Sequence, residues 1–149
     1  MIVADATLSP PISRRFSSDP MEVREALIAT MSELEAMGLT QEERGTVELV
    51  MAEVLNNIAE HAYEERHDGV IELDIERKGT NLFCKLRDFG QPMPDGKTPL
   101  GLEANLNVPF DELPEGGFGW FLIGELANDL VYSRLKDANH LSFRMVIGA

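Results

Sequence analysis

Residues Glu48 to Tyr63 read ELVMAEVLNNIAEHAY, a helical pattern carrying polar residues that a purely structural helix would not need. Each residue turns a helix by about 100°, so Val47, Val50, Met51, Val54, Ile58 and Ala62 fall on one apolar arc. Glu53, Asn57 and His61, spaced i, i+4, i+8, line the border of that arc. Asn is a poor helix former because its side chain competes for backbone hydrogen bonds, yet Asn56 and Asn57 stand together in mid-helix. On this helix alone, the plainer reading is a boundary stripe with no site.

Toward the N-terminus, Thr40 and Glu43 form a capping-box pattern that launches this helix. Before it, Asp19, Pro20 and Glu22 mark the start of another helix, with Val23, Leu27, Met31 and Leu34 on one face and Gly38 as its stop. Ile12 to Ser17 alternates weakly, as an edge strand preceded by Pro10 and Pro11 would. Toward the C-terminus, Val70 to Arg77 and Asn81 to Arg87 alternate around Lys78-Gly79-Thr80 and predict an antiparallel hairpin. Gln91 to Gly116, with five prolines, reads as a long functional loop or lid. An apolar helix from Trp120 to Asn128 follows, then strands Leu130 to Leu135 and Leu141 to Ile147 around a turn at Asp137 to Asn139. The expectation is an α+β two-layer sandwich: helices packed on one face of a mixed, mostly antiparallel sheet.

The 149 residues suit one domain, 1–149, with a single core. Thirteen Lys and Arg against twenty-six Asp and Glu give a formal charge of −13. Such a surface repels nucleic acid and anionic lipid, so the expected partners are proteins, with no direct nucleic acid and no membrane. Any bound phosphate would need backbone amides or a metal ion. Cys84 is the only cysteine, which excludes a disulfide framework and a cysteine metal site. The opening MIVADATLSPP lacks a basic start and a long apolar run, so a cytoplasmic protein is expected.

Three clusters could carry chemistry: Glu53 with Asn57, Asp88 with Gly90 past a strand, and Gly117-Phe118-Gly119 at a helix start. Singly, the second reads as a turn and the third as a hinge. The glycines are not a dinucleotide fingerprint, since the next one is Gly124 and no strand feeds them. Asp88-Phe89-Gly90 mimics a protein-kinase metal motif, but no His-Arg-Asp catalytic loop accompanies it.

Taken together and in this order, the clusters resemble the GHKL-type (Bergerat-fold) ATPases, the histidine-kinase-like ATPase fold, in their small bacterial anti-sigma factor and serine-protein kinase branch. AEVLNNIAEHAY matches the helix box through Glu53 and Asn57, RDFGQPMP the aspartate-glycine box through Asp88 and Gly90, and GGFGWFLIGELANDLVY the glycine-rich box through Gly117, Phe118, Gly119 and Asp129. The resemblance implies ATP and Mg2+ as cofactors, with the Asn57 oxygen on the metal and Glu53 as general base. It implies that Asp88 accepts from the adenine amino group, that Gly90 lets the backbone approach the base, and that Gly117 and Gly119 expose amides to the phosphates. A supporting role is expected for His61. The family's last strand begins with Gly and Thr where this chain has Ala138, Asn139 and His140, and Asn139 could replace the hydroxyl.

Because neither a transducer domain nor a dimerising helix pair fits in this length, the resemblance implies a serine-protein kinase acting as an anti-sigma factor. Such a protein sequesters a sigma factor and phosphorylates a small anti-anti-sigma (STAS-type) antagonist, and its relatives commonly form homodimers, here through the first helix or strand. The alternative is a non-catalytic partner-switching module that binds ATP weakly or not at all.

Overall fold

The computed structural model describes residues 10–93 and 117–148. Most of the lid expected at 91–116 therefore lies outside the described residues. The elements are β1 (Ile12–Ser17), α1 (Pro20–Ala36), α2 (Gln41–Asn57), one π-helical turn (Ile58–Ala62), β2 (Val70–Lys78), β3 (Asn81–Asp88), α3 (Gly117–Leu126), β4 (Asn128–Leu135) and β5 (Ala138–Val146).

The strands form one sheet in the order β1-β2-β3-β5-β4, and among the described residues every pairing is antiparallel rather than mixed. Burial alternates along it. Ile71, Leu73 and Ile75 of β2, Leu82, Cys84 and Leu86 of β3, and Leu141, Phe143 and Met145 of β5 are buried, while their neighbours are half-buried or exposed. One face is therefore covered, by the helices, and the other is open to solvent. Val47, Val50, Met51, Val54 and Leu55 of α2 complete the core, each with 1% exposure or less. Burying side chains of this kind contributes about 1.5–3 kcal/mol apiece.

Both early helices start as their sequences predict. Asp19 accepts from Met21 N and Glu22 N with Pro20 at the first position, and Thr40 and Glu43 exchange both bonds of a capping box. A second Glu43 oxygen accepts from Gly148 N, tying the start of α2 to the end of the sheet. α1 closes at Gly38 in a Schellman arrangement, Leu39 N donating to Leu34 O and Gly38 N to Glu35 O.

Three boundaries differ from expectation. The α-helix ends at Asn57 and continues as a π turn, with one extra residue before the chain leaves at Tyr63. α3 begins at Gly117 rather than Trp120. The last turn is Lys136-Asp137, with Lys136 at φ 57°, so Ala138 and Asn139 belong to β5 instead of a loop.

Candidate functional site

α2 is the spine of the site. Asn57 is buried, 9% exposed, and its Nδ2 donates to Glu53 O at 2.9 Å. A carbonyl can only accept, so this bond fixes the carboxamide: the nitrogen faces the helix backbone and Oδ1 is turned away from it. Half-buried Glu53 stands one turn earlier.

Gly119, in the first turn of α3, meets both side chains. A Cβ at this position would collide with the Glu53 carboxylate and lie 3.8 Å from Asn57 Nδ2. Only a glycine lets the backbone come this close without displacing the carboxylate. α3 packs on α2, which holds that approach in place. Gly117 opens α3, but its surroundings and the side chain of Phe118 are outside what the structure describes.

Nine residues along the same spine, roughly 13 Å at 1.5 Å per residue, the π turn receives the end of β3. Gly90 lies against Ala62, where a Cβ would overlap the Ala62 carbonyl and come 2.8 Å from its Cβ. Gln91 N donates to Ala62 O at 2.8 Å, and Phe89 N to the Tyr63 hydroxyl at 2.7 Å. Gly119 thus meets Glu53 and Asn57 on α2, while Gly90, with Asp88 beside it, meets the π turn that extends the same helix.

Asp88 is the buried acid of the site, 5% exposed. Its Oδ1 accepts from Gly90 N at 2.9 Å and from Asn139 Nδ2 at 2.8 Å. Burial pushes its carboxyl above the usual range, opposed by the Asn139 and Gly90 hydrogen bonds and by the charges of Arg134 and His140. Among the described residues no donor is placed on Oδ2.

The group opposite Asp88 is built by β4 and β5. The pairs Asp88↔Asn139 and Arg134↔Asn139 put three strands in one row. Asn139 Nδ2 is the side-chain donor to Asp88. Tyr132 and Arg134, not anticipated, also meet Asn139. Their signal in the sequence is positional: they alternate on β4 with the register of its covered face, where polar side chains need partners.

Other residues fall away from the site. His61, on the π turn, is exposed, its ring 3.9 Å from Glu60. His67 lies 3.7 Å from Asp19, at an exposed turn. Asp129 sits inside β4 at φ 53° and accepts from Arg144 Nε at 2.8 Å. Buried Cys84 has its thiol pushed up to about 12 by desolvation, leaving it inert.

As for a metal, the described residues hold no cluster of three or more His, Cys, Asp or Glu suited to one. The outward Oδ1 of Asn57 fits Mg2+, a hard cation that takes few protein ligands and completes its shell with phosphate and water oxygens.

A two-layer α+β domain with a carboxylate, a carboxamide, a glycine-opened helix start and a buried strand-end aspartate along one helix is the class these features define. The profile of the histidine kinase-like ATPase domain matches residues 16–145, and the chain belongs to that family. Among solved structures, the RsbU and RsbW domains of Rv1364c from Mycobacterium tuberculosis are similar at TM-score 0.65 and 14% identity, over 93% of this chain and 32% of that one. This chain thus spans about a third of that protein's length. The SiaB–SiaC complex from Pseudomonas aeruginosa contains a chain similar at TM-score 0.65 and 18% identity, covering 97% of this chain and 92% of that one. The catalytic domain of histidine kinase ThkA aligns at TM-score 0.50 and 16% identity, over 91% and 97% of the two chains. At these identities the likeness is one of fold. The search of curated proteins finds no match. Among the described residues no helix is long and apolar enough to cross a membrane.

Proposed function

We propose that this domain is an ATP-dependent serine-protein kinase that acts as an anti-sigma factor. It binds Mg-ATP along α2, phosphorylates a small STAS-type antagonist, and sequesters a sigma factor when the antagonist is phosphorylated. The observation that carries this reading is the seating of Gly119 on Glu53 and Asn57, which joins the helix box to the glycine-rich box. The RsbW domain and the SiaB–SiaC complex among the similar folds support a partner-switching role.

In this reading Asp88 Oδ2 accepts from the adenine amino group, and Gly90 lets the base approach. Amides at the start of α3, from Gly117 to Gly119, face the phosphates, where the helix dipole favours negative charge. Asn57 Oδ1 would hold Mg2+, which supplies neutralisation of phosphate charge. The substrate serine Oγ attacks the γ-phosphorus, the Oγ–P bond forms as the bond to the β-γ bridging oxygen breaks, and ADP leaves. The serine proton passes to the Glu53 carboxylate. Charge and bulk added by the phosphate change the antagonist's affinity, the differential that partner exchange needs. A homodimer is proposed through α1, which exposes Met21 and Ile28, 62% and 59% accessible.

Phosphotransfer from Mg-ATP to a STAS-type antagonist, followed with wild type beside Glu53→Gln, tests the reading. Transfer by the wild type and a loss of at least about a hundredfold in the variant, within the range general bases contribute, are expected. Wild-type binding of Mg-ATP without any transfer would replace the kinase by a binding module.

A further inference from the structure

A phosphoryl acceptor has to bring its serine to Glu53, which is half-buried at the border between the core side of α2 and the side that faces out. At about 100° per residue, Leu49, Glu53 and Asn56 fall within about 60° of one another. Leu49 is 42% exposed, and Asn56 is exposed. Among the described residues, neither Asn56 nor Glu48 has a hydrogen-bond or ion-pair partner. A solvated helix face is ordinarily supported by strong helix formers and by Glu and Lys pairs, whereas this one carries an open leucine and a mid-helix asparagine. Both stand one turn from Glu53, on either side of it.

The spacing along the helix matches an extended peptide. Leu49 precedes Glu53 by four residues, about 6 Å of rise. Residues two apart in an extended chain are about 6.7 Å apart and face the same side. A serine directed at Glu53 therefore brings the side chain two positions away onto Leu49, where an apolar one fits. Asn56, about 4.5 Å beyond Glu53, has an amide that can both donate to and accept from the peptide backbone.

Charge narrows the occupant further. From Gly45 to Glu65 the chain has no Lys or Arg and five glutamates, Glu48, Glu53, Glu60, Glu64 and Glu65. The complementary segment is basic around its serine, and a phosphate placed on that serine is repelled by the same helix. The open face of the sheet does not serve, because the helices lie on the other face.

We infer that the outward side of α2, through Leu49 and Asn56, is the docking surface for the acceptor segment of the antagonist: an extended stretch with an apolar residue two positions from the serine and basic residues nearby. The inference deepens the kinase reading above and rests on it.

The test is steady-state phosphotransfer by the full chain from Mg-ATP to the STAS-type antagonist named above. Leu49→Asp should raise KM for the antagonist by about tenfold and Asn56→Ala by about fivefold, the worth of one hydrogen bond, with kcat within about twofold, as loss of uniform binding requires. Kd for Mg-ATP should stay within about twofold in both. Alanine is the better helix former, so Asn56→Ala should unfold no earlier than wild type. Leu49→Ala is the milder change if Leu49→Asp does not fold. Replacing the antagonist's apolar residue two positions from its serine by Ala should raise KM in wild type and much less in Leu49→Ala, because the two act through one contact. Val131→Asp, at a 56% exposed position on the open sheet face, should leave KM unchanged. Unchanged KM in the Leu49 and Asn56 variants, equal rises in KM and in Kd for Mg-ATP, or a rise in Val131→Asp that matches theirs would overturn the inference while leaving the kinase standing. Absence of transfer by wild type would overturn both.

Discussion

Replacing Asp88 by Asn separates base recognition from folding. The retained Oδ1 can still accept from Gly90 N and Asn139 Nδ2, which lie 2.9 and 2.8 Å away. The new amide then stands where Oδ2 stood, where no described residue donates. The variant also loses a carboxylate whose burial pushes its pKa up. A carboxylate so shifted contributes stability that is fully present below its unfolded pKa and fades as pH rises through the folded value. The variant should therefore match wild-type stability within about 1 kcal/mol at pH 7 and fall relatively less as pH rises from the acid side. Adenine binding is another matter: an acceptor becomes a donor facing the 6-amino donor, costing about 1.5–3 kcal/mol, or ten- to a hundredfold in Kd. Inosine triphosphate, with an acceptor there, should gain on ATP. Thermal unfolding and calorimetric titration with both triphosphates provide the assay. Unchanged ATP affinity, or a loss of stability large enough to explain the weaker binding, would refute the reasoning.

The two glycines of the site should respond differently to alanine. At Gly119 the obstacle is the end of the flexible Glu53 side chain, so Gly119→Ala should fold with unchanged or slightly higher stability, up to about 1 kcal/mol from helix propensity, yet lose phosphotransfer. At Gly90 the obstacle is the Ala62 backbone carbonyl, so Gly90→Ala should destabilise by about 1–3 kcal/mol in denaturant titrations. Glu43, whose carboxyl is held below its usual range first by the Thr40 amide and then by Gly148 N, contributes stability that is present above its unfolded pKa and lost as pH falls through the folded one. Glu43→Gln should consequently flatten the acid limb of the stability profile, measured between neutral pH and about pH 3, without altering nucleotide affinity.

The layout was legible where local chemistry and tertiary structure agree. Asp19-Pro20, Thr40 with Glu43, and the alternation of β2 and β3 each announce an element that the packing then uses. The rest depended on competition between principles. The π turn has no residue signature in IAEHA, and His61 on it faces solvent. The propensities of Gly117 and Gly119 argue against helix, so α3 was expected to begin only at Trp120, yet packing on α2 carries the helix over both glycines. Asp137 and Asn139 together suggested a turn, but Lys136 at positive φ made the turn tighter and returned Asn139 to the strand. That one-element shift places its amide on Asp88, and with it Tyr132 and Arg134, which a period-two reading of β4 without its partner strand left unassigned.

The claim on which the rest depends is that one nucleotide spans α2 from Gly119 to Gly90. Amide resonances recorded on 15N-labelled protein during titration with Mg-ATP test it directly. Gly119, Asn57, Gly90 and Gln91 should shift together along a single saturation curve, while Ser142 on the open sheet face stays still. Shifts confined to that open face, or movement near Gly119 without movement at Gly90, would contradict the account.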